Sequence, residues 1–249
     1  MSFSVSSSRV GVRFMGTLAK LAQEVARRCP GGKLPSSYLV VDLETSGLDW
    51  SRQVKPDVVV QIGFAAVRDR QLVRRDAVYL KRPLGTMSKG ASDVTGITDE
   101  ILIRDGIEPA EIYPKFVSLL QLYRKSGCMF MGHNIVSFDA PFLAADLKRQ
   151  QISFKFKPGE YIDTGMIYKA VQLRTHPGPH ESLHQFFLRV KNTRSRVKWR
   201  LALAIERLKL HIEHNIDLNK AHDAGFDCWM THLLFEELRR LSEDSDVEV

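Results

Sequence analysis

Hydrophobic and polar positions follow two periods along this chain, and each period marks a kind of element. Tyr38-Leu39-Val40-Val41 is an unbroken apolar run ending in β-branched residues, which predicts a strand buried on both faces. Residues 58–67 and 72–80 are two further β-rich runs, parted by the polar turn Arg68-Asp69-Arg70-Gln71. That spacing predicts a hairpin, with strands 1 to 3 as an antiparallel meander. Over 108–125 the period becomes helical, through Ile112, Phe116, Leu119, Leu120 and Tyr123. Residues 128–131 then read as a short apolar strand, and a strand–helix–strand order implies parallel pairing. A second helix is expected over 137–149, with Phe138, Phe142, Leu143 and Leu147 on one stripe and Pro141 in its first turn. Residues 161–164 read as a fifth strand, and 81–107 as loop-rich. From 182 onward the pattern is helical. It closes with a helix over 221–241 striped by Phe226, Met230, Leu233, Leu234, Leu238 and Leu241.

This is an α/β pattern with a helical C-terminal part. It divides into a basic N-terminal extension (1–37), a domain (38–241) and an acidic tail (242–249). The extension sets Arg9, Arg13, Lys20, Arg27, Arg28 and Lys33 against Glu24 alone. Residues 16–28 fit an amphipathic helix packed on the domain, and the acid-poor start also fits a transit segment; both readings stay open. A net charge of +7 favours a polyanionic partner such as nucleic acid. No apolar run reaches the length of a membrane span. Three scattered cysteines (Cys29, Cys128, Cys228) read as reduced thiols, so a cytoplasmic, intracellular setting is expected.

Chemistry gathers at three places. Asp42 and Glu44 follow the buried run at positions i and i+2 of a strand, so both carboxylates leave one face. Like charges that close resist desolvation unless a cation lies between them. Asp139 follows the fourth strand within GHNIVSFDAPFL (132–143), and His222 and Asp227 lie in AHDAGFD (221–227). Taken singly each has a bland alternative: a solvated strand end, an acid at a helix N-terminus, a polar helix face. Five residues of helix turn through about 500°, so His222 cannot share a face with Asp227 and belongs before the helix. Ala224, one turn before Asp227, is expected to leave space for a metal and phosphate. Gly225 is expected to loosen that first turn.

Together, DLE at a strand end, HNIVSFD after a later strand and HDAGFD near the C-terminus resemble the three signatures of the DEDDh (DnaQ-like) 3′–5′ exonucleases. VVQIG (59–63) and VTGITDE (94–100) are similar to that family as well. The resemblance implies a ribonuclease H-like fold, a five-stranded mixed sheet flanked by helices with the first strand central. It implies that Asp42, Glu44, Asp139 and Asp227 hold two divalent metals and that His222 is the general base. It further implies substrate contacts from Thr45, Ser46 and Gly47, from Ile97 as an apolar wedge, and from Asn134 and Phe138. Thr95 stands where many members carry His. Oxygen ligands select Mg²⁺ or Mn²⁺ over zinc.

The implied activity is metal-dependent hydrolysis from a free 3′ end, on single-stranded DNA, with a polymerase or replication partner as a further expectation. Alternatives are an exoribonuclease trimming RNA and a catalytically silent nucleic-acid-binding module on the same fold. His176, His180 and His184 recur every four residues, but Pro177 and Pro179 forbid the helix that would align them, so they read as loop groups. Asp163 reads as a buried, hydrogen-bonded acid of the last strand. The basic band Arg189, Lys191, Arg194, Arg196, Lys198, Arg200 reads either as a solvated helix face or as a phosphate track, with Trp199 a candidate stacking platform.

Overall fold

The structure, a computed structural model, describes residues 5–243, with side chains from Phe14 onward. A five-stranded sheet runs in the order β3-β2-β1-β4-β5. Its strands are β1 (Tyr38–Thr45), β2 (Val59–Arg68), β3 (Gln71–Tyr79), β4 (Met129–Gly132) and β5 (Tyr161–Asp163). β1, β2 and β3 form the expected antiparallel meander, and β4 and β5 add in parallel. The central place falls to β1, whose Tyr38, Leu39, Val40 and Val41 are wholly buried. The helices are α1 (Val5–Arg28), α2 (Lys89–Thr95), α3 (Asp99–Arg104), α4 (Pro109–Lys125), α5 (Asp139–Arg149), α6 (Thr164–Leu173), α7 (Leu183–Asn192), α8 (Leu201–Arg207), α9 (Leu210–Glu213) and α10 (Ala224–Glu243).

α1 packs against α10 and α6, with Leu18, Leu21 and Val25 fully buried in the main core. Burying each such side chain is worth about 1.5–3 kcal/mol, so this helix holds the fold together. α10 lies across β1 and β2. Of its expected stripe, Met230, Leu234, Leu238 and Leu241 are buried, and Phe235 joins them by packing edge-on against Tyr38.

Four local expectations change. Residues 81–107 contain α2 and α3, capped by the Ser88 and Thr98 side chains rather than built on an apolar stripe. α6 is a further helix where only the end of the fifth strand was expected; it starts on the Asp163 cap and is buried from Thr164 to Val171. The basic band is not one helix face, since α7 ends at Asn192 and residues 194–200 belong to no helix or strand before α8. Of the expected acidic tail, Ser242 and Glu243 belong to α10, and Asp244, Asp246 and Glu248 lie outside the described residues.

Candidate active site

The register of the sheet builds the site. Asp42 pairs across the ladder with Gly63, and Glu44 with Gln61. All four therefore share one face of the β1–β2 pair. The start of α10 lies over the β2 side of that face. It can lie so close because residue 63 is glycine: a Cβ there would meet the carbonyl of Ala224 at 2.3 Å. Gln61, 2% exposed, then clamps the helix. Its Nε2 donates to Asp223 Oδ2 and its Oε1 accepts from the Ala224 N–H, both at 2.9 Å. Asp223 Oδ1 accepts the Phe226 N–H at 2.8 Å and so caps α10.

Gln61 was not among the candidate site residues. The signal was present: a polar side chain inside an apolar strand needs buried partners. Ala224 and Gly225 also differ from expectation. Ala224 is buried against Gly63 rather than opening space beside Asp227. A Cβ on Gly225 would come within 3.1 Å of the Ala77 Cβ, so glycine here permits close packing on β3.

His222 precedes α10, as the spacing requires, in a left-handed conformation (φ 72°). Its backbone N–H donates to both carboxylate oxygens of Asp227 at 3.3 Å. Ligand atoms of Glu44, His222 and Asp227 all lie within 4.8 Å of one another.

Asp139 arrives from the other side. β4 pairs with β1 only as far as Val40, which leaves the upper edge of β1 open. Asp139, 2% exposed at the start of α5, fills that opening and accepts the Leu43 N–H at 3.0 Å. The loop before it hangs on Asp163, which accepts from the N–H groups of Asn134, Val136 and Met166. Asp163 is thus the buried, hydrogen-bonded acid anticipated.

The acids share one electrostatic field. Burial and then the charges of Asp139, Asp227, Glu44 and Asp223 hold the Asp42 carboxyl well above its usual range. Burial, then Asp227, Asp139 and Asp223, push Glu44 up to about 9. Burial pushes Asp139 up to about 8, with Asp163 and Asp227 adding and backbone hydrogen bonds opposing. Burial and Asp223 push Asp227 up to about 7 against the His222 hydrogen bond. Carboxyls in this condition fit a divalent cation, which would replace their mutual repulsion with attraction. His222 moves the other way, lowered by burial and then by the nearby Arg200 guanidinium.

The remaining candidates are placed unevenly. Thr45 and Ser46 are buried, with Thr45 Oγ1 donating to the Gly47 carbonyl and Ser46 Oγ accepting the Val58 N–H. A Cβ on Gly47 would meet the Asp57 carboxylate at 2.5 Å, so a larger residue here would displace the carboxylate that accepts the Asp49 N–H. Phe138 is half-buried against Phe142, and Asn134 takes a left-handed turn (φ 86°). Ile97 is 3% exposed, packed with Val60 and Leu102 rather than offered as a wedge. Trp199 is half-buried over His133 and Lys169, so its ring faces inward rather than offering a stacking platform. His176 and His180 lie in the loop before α7, and His184 Nδ1 is engaged by the Tyr161 hydroxyl at 2.7 Å.

The family model described as RNase_T, Exonuclease, matches residues 39–235. The chain belongs to this exonuclease family. Its members are divalent-metal-dependent exonucleases of the DnaQ-like 3′–5′ kind. The exonuclease is 31% identical over 137 residues to the DNA polymerase III PolC-type of Thermotoga petrophila, a match covering 55% of this chain and 9% of that protein. The PolC-type polymerase of Mycoplasma pneumoniae is 27% identical over 118 residues, covering 47% and 7%. The chain thus spans under a tenth of the length of these curated relatives. In fold it is similar to E. coli exonuclease I in its zinc-bound complex with single-stranded DNA, with a TM-score of 0.60 at 19% identity, covering 83% of this chain and 41% of that one. A complex of that enzyme with a dT13 oligonucleotide gives 0.59 at 19%, covering 82% and 41%.

Proposed function

We propose that this exonuclease removes nucleotides from the 3′ end of single-stranded DNA. The observation that carries the reading is the convergence of Glu44, Asp227 and His222 within 4.8 Å, amid carboxyls that burial and mutual repulsion push towards protonation. Asp42, Glu44, Asp139 and Asp227 would hold two divalent ions, Mg²⁺ or Mn²⁺, since hard oxygen donors suit those ions. When bound, such ions supply charge that stabilises the attacking and leaving oxygens of an in-line displacement at phosphorus.

The chain's own part is positioning and proton transfer. His222 is exposed on a turn whose backbone is tied to Asp227, so its imidazole stays within reach of Glu44 and Asp227 while meeting solvent. Its lowered pKa keeps it neutral at working pH, and a neutral imidazole can take the proton of an attacking water. Gln61 and Asp223 set the start of α10, and through it both Asp227 and His222. The Thr45–Gly47 turn would offer backbone groups to the terminal nucleotide. Three unpaired cysteines support an intracellular setting, and the PolC-type relatives support a role beside a polymerase.

The test is digestion of 5′-labelled single-stranded DNA, duplex DNA and RNA of one sequence, with Mg²⁺, with Mn²⁺ and with EDTA. The expected result is a ladder shortening from the 3′ end, fastest on single-stranded DNA and absent in EDTA. Undiminished cleavage in EDTA, or faster cleavage of RNA, would overturn the corresponding part of the reading.

A further inference from the structure

We infer that residues 194–200 form a track for the phosphates of a single strand leaving the catalytic pocket, with Arg200 at the catalytic end. This rests on the exonuclease reading for its direction but not for its existence. The segment follows α7 and precedes α8, and the backbone at both its ends is extended: Thr193 at φ −70°, ψ 113°, Arg200 at φ −61°, ψ 149°. It belongs to no strand of the sheet. Arg194, Arg196, Lys198 and Arg200 are all exposed, as is Ser195, while Val197 and Trp199 between the last three cations are half-buried. Four cations thus stand within seven residues of non-helical chain, which can span at most about 20 Å at roughly 3.3 Å per residue.

The row is held rigid from beneath. Lys169 on α6, 6% exposed, donates to the carbonyls of Lys191 and Thr193 at 3.1 Å. Gln172 donates to the Lys198 carbonyl at 2.6 Å. His133 Nε2 meets the Trp199 carbonyl at 2.8 Å, and since a carbonyl only accepts, that nitrogen carries the proton. The two carbonyls offset part of the cost of burying the ammonium, and in turn they are held in place by it. These bonds also consume carbonyl oxygens that would otherwise weaken the positive field outside.

Two further observations point to a polyanion. Among the described residues no carboxylate pairs with any of the four cations, so four uncompensated charges stand within seven residues. The row also ends at the site. His133 belongs to the loop that carries Asp139, and α8 packs on α10, with Leu201, Ala204 and Ile205 in the apolar cluster of Met230 and Leu234. Arg200, the residue just before α8, is close enough to His222 for the two charges to interact, and Arg194 is the member of the row most distant from it along the chain.

The experiment measures binding of fluorescein-labelled dT4 and dT20 by anisotropy in EDTA, between 50 and 200 mM NaCl. It compares wild type, Arg194→Gln, Arg200→Gln, and the quadruple variant R194Q/R196Q/K198Q/R200Q. All four side chains are exposed, so thermal unfolding should match wild type and certify the fold. The quadruple variant is expected to bind dT20 at least 10-fold more weakly at 100 mM NaCl. Its plot of log affinity against log salt should flatten by about 2–3, at roughly 0.7 for each phosphate left without its cation. Arg200→Gln should weaken both oligonucleotides, and Arg194→Gln only dT20. An unchanged slope in the quadruple variant, or equal loss of dT4 binding from both single variants, overturns the track. If wild type releases nucleotides in Mg²⁺ while the slope is unchanged, the track fails and the exonuclease reading stands. If the slope falls as expected but no nucleotide is released, the reverse holds.

Discussion

Glu44→Gln should make the metal-free protein more stable, and more so as pH rises. Glu44 is buried, accepts no hydrogen bond from a protein donor among those described, and is pushed up to about 9 by burial and then by Asp227, Asp139 and Asp223. Its folded pKa therefore lies above its unfolded value. Below about pH 4 the carboxyl is protonated in both states and Gln should behave as Glu does. Between about pH 4.5 and 9 the folded state holds a proton that the unfolded state gives up, so stability falls with rising pH. Left to itself a gap of that size is worth up to about 5 kcal/mol at pH 8, at about 1.4 kcal/mol per unit. Four acids share the repulsion, so removing one charge should recover about 1–3 kcal/mol, or roughly 3–10 °C in Tm for a chain of this size. Thermal unfolding of both proteins at pH 4, 6 and 8 in EDTA reads this directly. Saturating Mg²⁺ should reverse the order, because the variant lacks a ligand. A Gln variant less stable than wild type at pH 8 in EDTA, or equally favoured at pH 4 and pH 8, would refute the reasoning.

Three further outcomes follow from the geometry. His222→Ala should lower the single-turnover rate by roughly 10²–10⁴-fold with little change in DNA affinity; because burial and Arg200 lower its pKa, the acidic limb of the wild-type pH–rate profile should lie below pH ~6.5 and be lost in the variant. Asp139→Asn should abolish cleavage with little loss of stability, since its Oδ1 still accepts the Leu43 N–H, whereas Asp139→Ala leaves that buried donor unpaired and should cost about 1–3 kcal/mol in chemical denaturation. Gln61→Leu removes the donor to Asp223 Oδ2 and leaves the buried Ala224 N–H unpaired, and should cost about 1–3 kcal/mol and weaken Mn²⁺ binding measured by calorimetry; unchanged Mn²⁺ affinity would show that the clamp does not set the site.

Much of the fold is legible in the sequence, because β1 is buried on both faces and the meander and α4 keep clean periods. α6 escapes that reading, because it starts at Thr164 directly on the Asp163 cap, where the sequence reads as the end of a strand. The placing of His222 before α10 is legible as well, since helix geometry denies it a face shared with Asp227. Only tertiary structure decided what surrounds these residues. Gln61 and Gly63 are marked as unusual in a strand, but their task depends on a helix more than 160 residues later lying across them. Ile97 and Trp199 look the same in sequence whether offered to substrate or turned into the core. The basic band kept its charge but not its helix. Local period reports only which side of an element meets water; where four acids converge is set by strand register and helix docking between residues far apart in the chain.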